Sequence, residues 1–149
     1  MVDSEIFECI VKNTSLISID FVVKKKDKIL LGKRINNPAK GYWFTIGGRI
    51  YKNEKISEAQ KRILKNELDY EGKFEPAFIG VFEHFYDTGF NGVPTHYVNL
   101  AYMINLDKIS LNLPFEQHSE YIWLEVDEIM KRKDVHSYVK NYFKGNKYV

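Results

Sequence analysis

The stretch GGRIYKNEKISEAQKRILKNELDY, residues 47–70, decides how the rest of the chain is read. Two glycines open it, a polar loop runs from Arg49 to Lys55, and Ser57 to Leu68 is the best helix in the sequence. Ile56, Ala59, Ile63 and Leu64 give that helix an apolar side, and Ser57 with Gln60 has the spacing of a capping box. Glycines let a backbone turn sharply and expose its amides and carbonyls to a ligand. A loop feeding a helix can then set a carboxylate at a fixed place beside them. An oxygen-only site of that kind suits a hard cation such as Mg²⁺, which neutralises phosphate oxygens.

The spacing supports that use. Five residues separate Gly48 from Glu54, seven separate Glu54 from Arg62, and four separate Arg62 from Glu67 near the helix end. Arg62 can hold the loop by pairing with Glu54, or with Glu58 at the helical i, i+4 distance.

Upstream, residues 3–12 read as a short amphipathic helix capped by Asp3 or Ser4. LISIDFVV (16–23) and ILLGKR (29–34) read as strands joined through the lysine-rich stretch at 24–28, a solvated hairpin turn. A loop follows to Gly41, Tyr42 to Thr45 is extended, and Gly47-Gly48 is expected to break the chain. Downstream, 78–86 and 96–106 read as long strands, 120–126 as another, and 127–131 and 135–143 as helices. Mixed strands with helices outside them predict an α+β sandwich, with 1–149 as one domain.

Composition narrows the function. With 22 Lys and Arg against 20 Asp and Glu, the net charge is only +2, too balanced for non-specific nucleic-acid binding. Cys9 is the single cysteine, which rules out an internal disulfide and fits a reducing, cytoplasmic compartment. Its apolar surroundings in sequence predict a buried, inert thiol. The N-terminus lacks a signal-peptide pattern, and no apolar run is long enough to span a bilayer.

Gly48 to Tyr70 resembles the Nudix box, Gly-x5-Glu-x7-Arg-Glu-U-x-Glu-Glu-x-Gly-U, where U is a bulky aliphatic residue. The departures are instructive. Ile63 stands for the Glu after Arg, Asn66 for the first Glu of the pair, Asp69 for the late Gly, and Tyr70 for the final aliphatic. Two lost acids leave Glu67 and the Gly47 carbonyl, enough for one metal. Such a site stabilises a diphosphate leaving group more readily than it activates water for attack on phosphorus. That points to chemistry at carbon. The reduced box is similar to that of the GDP-mannose mannosyl hydrolase subfamily. LISIDFVV, LLGKR, NNPAKGYWF, GGR, FEHFYD, THYVNLAY, EQHSEYIWL and VHSY look like that subfamily's segments, in its order.

The resemblance implies a Nudix α/β/α sandwich with a mixed sheet. It implies hydrolysis of GDP-mannose, and of GDP-glucose, to GDP and sugar, with water attacking C1 and inverting it. It implies one Mg²⁺ per subunit, replaceable by Mn²⁺, on the Gly47 carbonyl, Glu67 and Gln117. His118 matches the general base, a role suited to an imidazole that titrates near neutrality. Arg34 and Arg49 match arginines on the diphosphate, where a fork of donors binds phosphate bidentately. Tyr97 matches a donor to the same group, and Asp20 and His84 match residues lining the pocket. Asp20 carries a physical expectation of its own, because a carboxylate in an apolar strand needs a partner unless it faces solvent. The subfamily forms homodimers that engage the N-terminal segment, here residues 1–15. Ile46 replaces the proline that precedes the glycines in many such loops. Two other readings stay open: a Nudix pyrophosphohydrolase attacking phosphorus, and a nucleotide-sugar binding module without turnover.

Overall fold

The computed structural model describes residues 2–106 and 118–145. Helix α1 (Ser4–Asn13) is capped by Asp3, whose carboxylate accepts the Glu5 N–H. Strands β1 (Leu16–Lys25) and β2 (Lys28–Arg34) form the lysine-rich hairpin, paired at Lys25–Lys28. Then come β3 (Trp43–Phe44), β4 (Ile46–Arg49) and helix α2 (Ile56–Leu68). Strands β5 (Ala77–Tyr86) and β6 (Thr95–Asn105) are joined through a 3₁₀ turn at Phe90–Gly92. Strand β7 (His118–Leu124) and helices α3 (Val126–Lys131) and α4 (Ser137–Asn141) complete the described chain.

One mixed sheet runs β3-β2-β1-β6-β5, with β4 added on β1 and β7 on β2. The β1–β6 pair is parallel and the others are antiparallel. Side-chain alternation along β1 builds two cores. Ile19, Phe21 and Val23 join Ile63, Leu64 and Leu68 of α2 on one face. Val22 joins Ile29, Leu31, Ile129 of α3 and Val139 and Tyr142 at α4 on the other. Helices therefore cover both faces, the expected α+β sandwich, and the side of β1 that carries Asp20, with Leu16, Ser18 and Val22, is buried.

Strand β1 also divides its pairing. Its end pairs with β2 at Lys24–Ile29, whereas Ser18 to Phe21 pair with Arg49 to Ile46 of β4. The sheet forks there, and the fork places Asp20, the Arg34 end of β2 and Gly47 around one opening.

Several local expectations are corrected. Gly47-Gly48 does not break the chain but lies within β4. A Cβ on Gly47 would come within 2.3 Å of Asp20 Oδ1 and 2.4 Å of the Ile19 carbonyl, so glycine serves close approach to β1 rather than a turn. Helix α2 begins at Ile56, and Glu58, not Gln60, closes its start by accepting the Lys55 N–H. Cys9 is exposed on α1 instead of buried. Ile46 is fully buried in the α2-side core. Asp69 adopts the left-handed conformation (φ 53°, ψ 37°) that closes α2 in place of glycine.

Candidate active site

The loop between β4 and α2 is fixed by a single arginine. Arg62 Nε and Nη2 fork onto the Glu54 carboxylate at 2.7 and 2.9 Å, and Nη2 also donates to the Arg49 carbonyl at 2.7 Å. Glu54 accepts the Tyr51 N–H in turn. The Arg62 hydrogen bonds hold the Glu54 carboxyl below its usual range. Of the two partners open from sequence, Arg62 takes Glu54. The Arg62 guanidinium lies 3.8 Å from the Tyr51 ring centre, and the Arg49 guanidinium lies 4.9 Å from it and 4.8 Å from Phe7 of α1. Phe7 packs edge-on against Phe90. The N-terminal segment thus packs on its own chain beside Arg49.

A cleft of about 280 Å³ opens at the fork of the sheet. Asp20, Arg34, Gly47, Arg49, Glu67, His84 and Tyr97, all expected from sequence, border it together. Ile63 and Asn66, the two departures from the acidic box, border it as well. Ile63 packs where the Gly48 Cβ would stand, 3.0 Å from its Cγ1, so an aliphatic wall replaces a carboxylate there. Arg34 is steadied by its Nε bond to the Pro38 carbonyl at 2.9 Å. Burial pushes the Tyr97 hydroxyl up, so it remains a donor at neutral pH. Gln117 lies outside the described residues. His118 begins β7, where its backbone registers with Arg34.

At the cleft, Asp20 and His84 meet partners that the sequence did not single out. Asp20, 7% exposed, takes hydrogen bonds on Oδ2 from Thr45 at 3.2 Å and from the Tyr142 hydroxyl. The Tyr142 oxygen also lies 3.1 Å from Asn99 Oδ1 and 3.2 Å from His84 Nε2. Burial raises the Asp20 carboxyl to about 6 despite these bonds. Burial likewise lowers the His84 imidazole to about 4, so it is neutral at physiological pH. The His84 ring stacks on Tyr138 at 4.4 Å, and His136 caps α4 by accepting the Tyr138 N–H on Nδ1. The available signal was the carboxylate in an apolar strand, which demands a partner. Its spacing could not name one 122 residues away.

Gly47 and Glu67 offer a main-chain carbonyl and a carboxylate, oxygen donors that fit Mg²⁺. Among the described residues, no group of three or more His, Cys, Asp or Glu comes together to hold a metal.

The chain is 38% identical over 138 residues to the low-salt glycan biosynthesis protein Agl8 of Haloferax volcanii, covering 91% of this chain and 85% of that protein. Its fold is similar to a MutT NUDIX hydrolase from Burkholderia pseudomallei, with a TM-score of 0.73 at 19% identity, over 87% of this chain and 96% of the other. It is also similar to the NUDIX domain of Shewanella oneidensis NrtR, in complex with ADP ribose. There the TM-score is 0.66 at 16% identity, over 96% and 97% of the two chains. The model of the NUDIX domain matches residues 16–144, and the chain belongs to the Nudix hydrolase family.

Proposed function

We propose that this chain hydrolyses a GDP-hexose, GDP-mannose with GDP-glucose as a second substrate, to GDP and free sugar by attack of water on C1 with inversion. The observation that carries the reading is the cleft wall at Ile63 and Asn66. Where a pyrophosphohydrolase needs acids to gather metals for attack at phosphorus, this wall is apolar and neutral. The relative's role in glycan biosynthesis supports a sugar-bearing substrate.

The chain's own groups divide the work. Arg34 and Arg49 hold the diphosphate and offset the charge that grows on GDP as it leaves. Tyr97 donates a hydrogen bond to the same group. Asp20 accepts from a sugar hydroxyl, with His84 at its back. His118 takes the proton from the attacking water. Gly47, Glu67 and Gln117 hold a divalent cation, which when bound neutralises the diphosphate and stabilises its departure.

The test is product analysis with GDP-mannose and Mg²⁺ in H₂¹⁸O. The expected outcome is GDP and mannose, with the label in the sugar and activity abolished by EDTA. Label in phosphate with GMP as product would establish attack at phosphorus instead. Tight binding without turnover would establish a binding module.

A further inference from the structure

Tyr142 follows α4 near the end of the chain, yet it is fully buried behind the residues that border the cleft. Its ring packs edge-on against Phe82 at 4.8 Å. A backbone zipper sets its height: Trp43 N–H donates to the Asp134 carbonyl at 2.8 Å and His136 N–H to the Trp43 carbonyl at 3.2 Å. These bonds fix the start of α4 against β3. The hydroxyl then reaches Asp20, Asn99 and His84 at once. Asn99 is itself tied, its Nδ2 donating to Ser18 Oγ at 2.8 Å.

A phenol has one proton to give and two lone pairs. That proton faces two acceptors, Asp20 Oδ2 and Asn99 Oδ1, of which the carboxylate is the stronger, and His84 meets the hydroxyl as an Nε2–H donor. Thr45 supplies a second donor to the same Oδ2. One carboxylate oxygen is therefore engaged within the fold. The other, Oδ1, lies against the bare Cα face of Gly47, where a Cβ would come within 2.3 Å of it. Asp20, Thr45 and Gly47 border the cleft, whereas Tyr142 and Asn99 stand behind them.

We propose that Tyr142 is a positioning residue: its hydroxyl anchors Asp20 Oδ2 from beneath, so that Oδ1 is presented to a hydroxyl of the hexose. This rests on the GDP-hexose reading above. Tyr142 does not touch substrate, and its effect belongs to the sugar half of the site alone. A hydroxyl that merely filled a buried polar network would lower stability without distinguishing the sugar from the nucleotide.

The experiment uses Tyr142→Phe, Asp20→Asn and the double variant of the full chain, with folding checked by urea melts. A hydrogen bond to a charged group is lost, so kcat/KM for GDP-mannose is expected to fall about 10- to 100-fold in Tyr142→Phe. The Kd of GDP, which lacks the hexose, stays within about twofold. The double variant is no worse than Asp20→Asn, because the tyrosine acts through the aspartate. Unchanged kcat/KM, an equal loss of GDP affinity, or fully multiplicative effects would each overturn the proposal. Should Tyr142→Phe not fold, Thr45→Val removes the other donor to Oδ2 and is expected to show the same sugar-selective loss; unchanged kinetics there overturns the proposal too. Wild-type protein that hydrolyses no GDP-hexose defeats the functional reading and this inference together. Active wild type with an indifferent Tyr142→Phe defeats the inference alone.

Discussion

Gly47 and Gly48 are adjacent and identical in chemistry, yet the structure uses them differently. A Cβ at Gly47 meets Asp20 Oδ1 at 2.3 Å and the Ile19 carbonyl at 2.4 Å, and the second of these is backbone of the central strand. A Cβ at Gly48 meets Ile63 Cγ1 at 3.0 Å, an aliphatic side chain with some freedom to shift. Gly47→Ala is therefore expected to destabilise by about 1–3 kcal/mol through overpacking, and Gly48→Ala by less. Urea melts of the two variants check the order. Equal stability would mean that β1 and β4 can part without cost. The sequence marks both glycines as a turn, because glycine most often punctuates a chain. Only the pairing of β4 with β1 reveals that the missing side chain makes room.

The loop and helix that follow form an element whose logic is partly written in its spacing. Seven residues between Glu54 and Arg62 bring the carboxylate back over the second turn of α2, where the guanidinium takes it with both arms. Both partners are mostly buried, with side-chain exposures of 13% for Glu54 and 24% for Arg62. Arg62→Lys keeps the charge but loses the fork and the bond to the Arg49 carbonyl. The expected cost is about 2 kcal/mol. Amide exchange of residues 50–55 should accelerate while α4 stays protected, as hydrogen-exchange mass spectrometry can read. Uniform acceleration across the chain would show that Arg62 supports the whole fold and not the loop. The Arg–Glu spacing was legible because it is local and periodic. The cap at Lys55 and Glu58 was not, since it lies two residues before the Ser57–Gln60 pair that the spacing suggested. Helix α4 was legible as a helix but not as part of the site. Its contribution runs through Tyr142 and depends on how far Trp43 draws residues 134–136 onto the sheet, a contact with no local pattern.

At the scale of the whole molecule, the face of the sheet under α4 meets the cleft through buried groups that titrate, and their signs oppose. His84 is 3% exposed, and burial lowers its imidazole from 6.5 to about 4. Between those values the unfolded chain binds more protons than the folded one, so this contribution is whole above pH 6.5 and is lost as pH falls toward 4. Its full size is about 3 kcal/mol. His136, lowered to about 4 by burial and then by His84, acts in the same direction. Asp20 acts in reverse. Burial raises its carboxyl from 3.8 to about 6, so its contribution is full below pH 3.8 and is lost as pH rises through 6. Over the window from 6.5 to 4, the Asp20 gain offsets much of the His84 loss, leaving the His136 loss, about 3 kcal/mol, as the net decline. In EDTA, with no divalent cation to intervene, wild-type stability is expected to fall by about 3 kcal/mol between pH 6.5 and 4. Asp20→Asn removes the offset, so its stability should fall more steeply over the same interval, by about 3 kcal/mol more than wild type. Urea denaturation at half-unit pH steps separates the two curves. Parallel curves would mean that Asp20 ionises in the fold as freely as in the unfolded chain, and that Thr45, Asn99 and Tyr142 compensate fully for its burial.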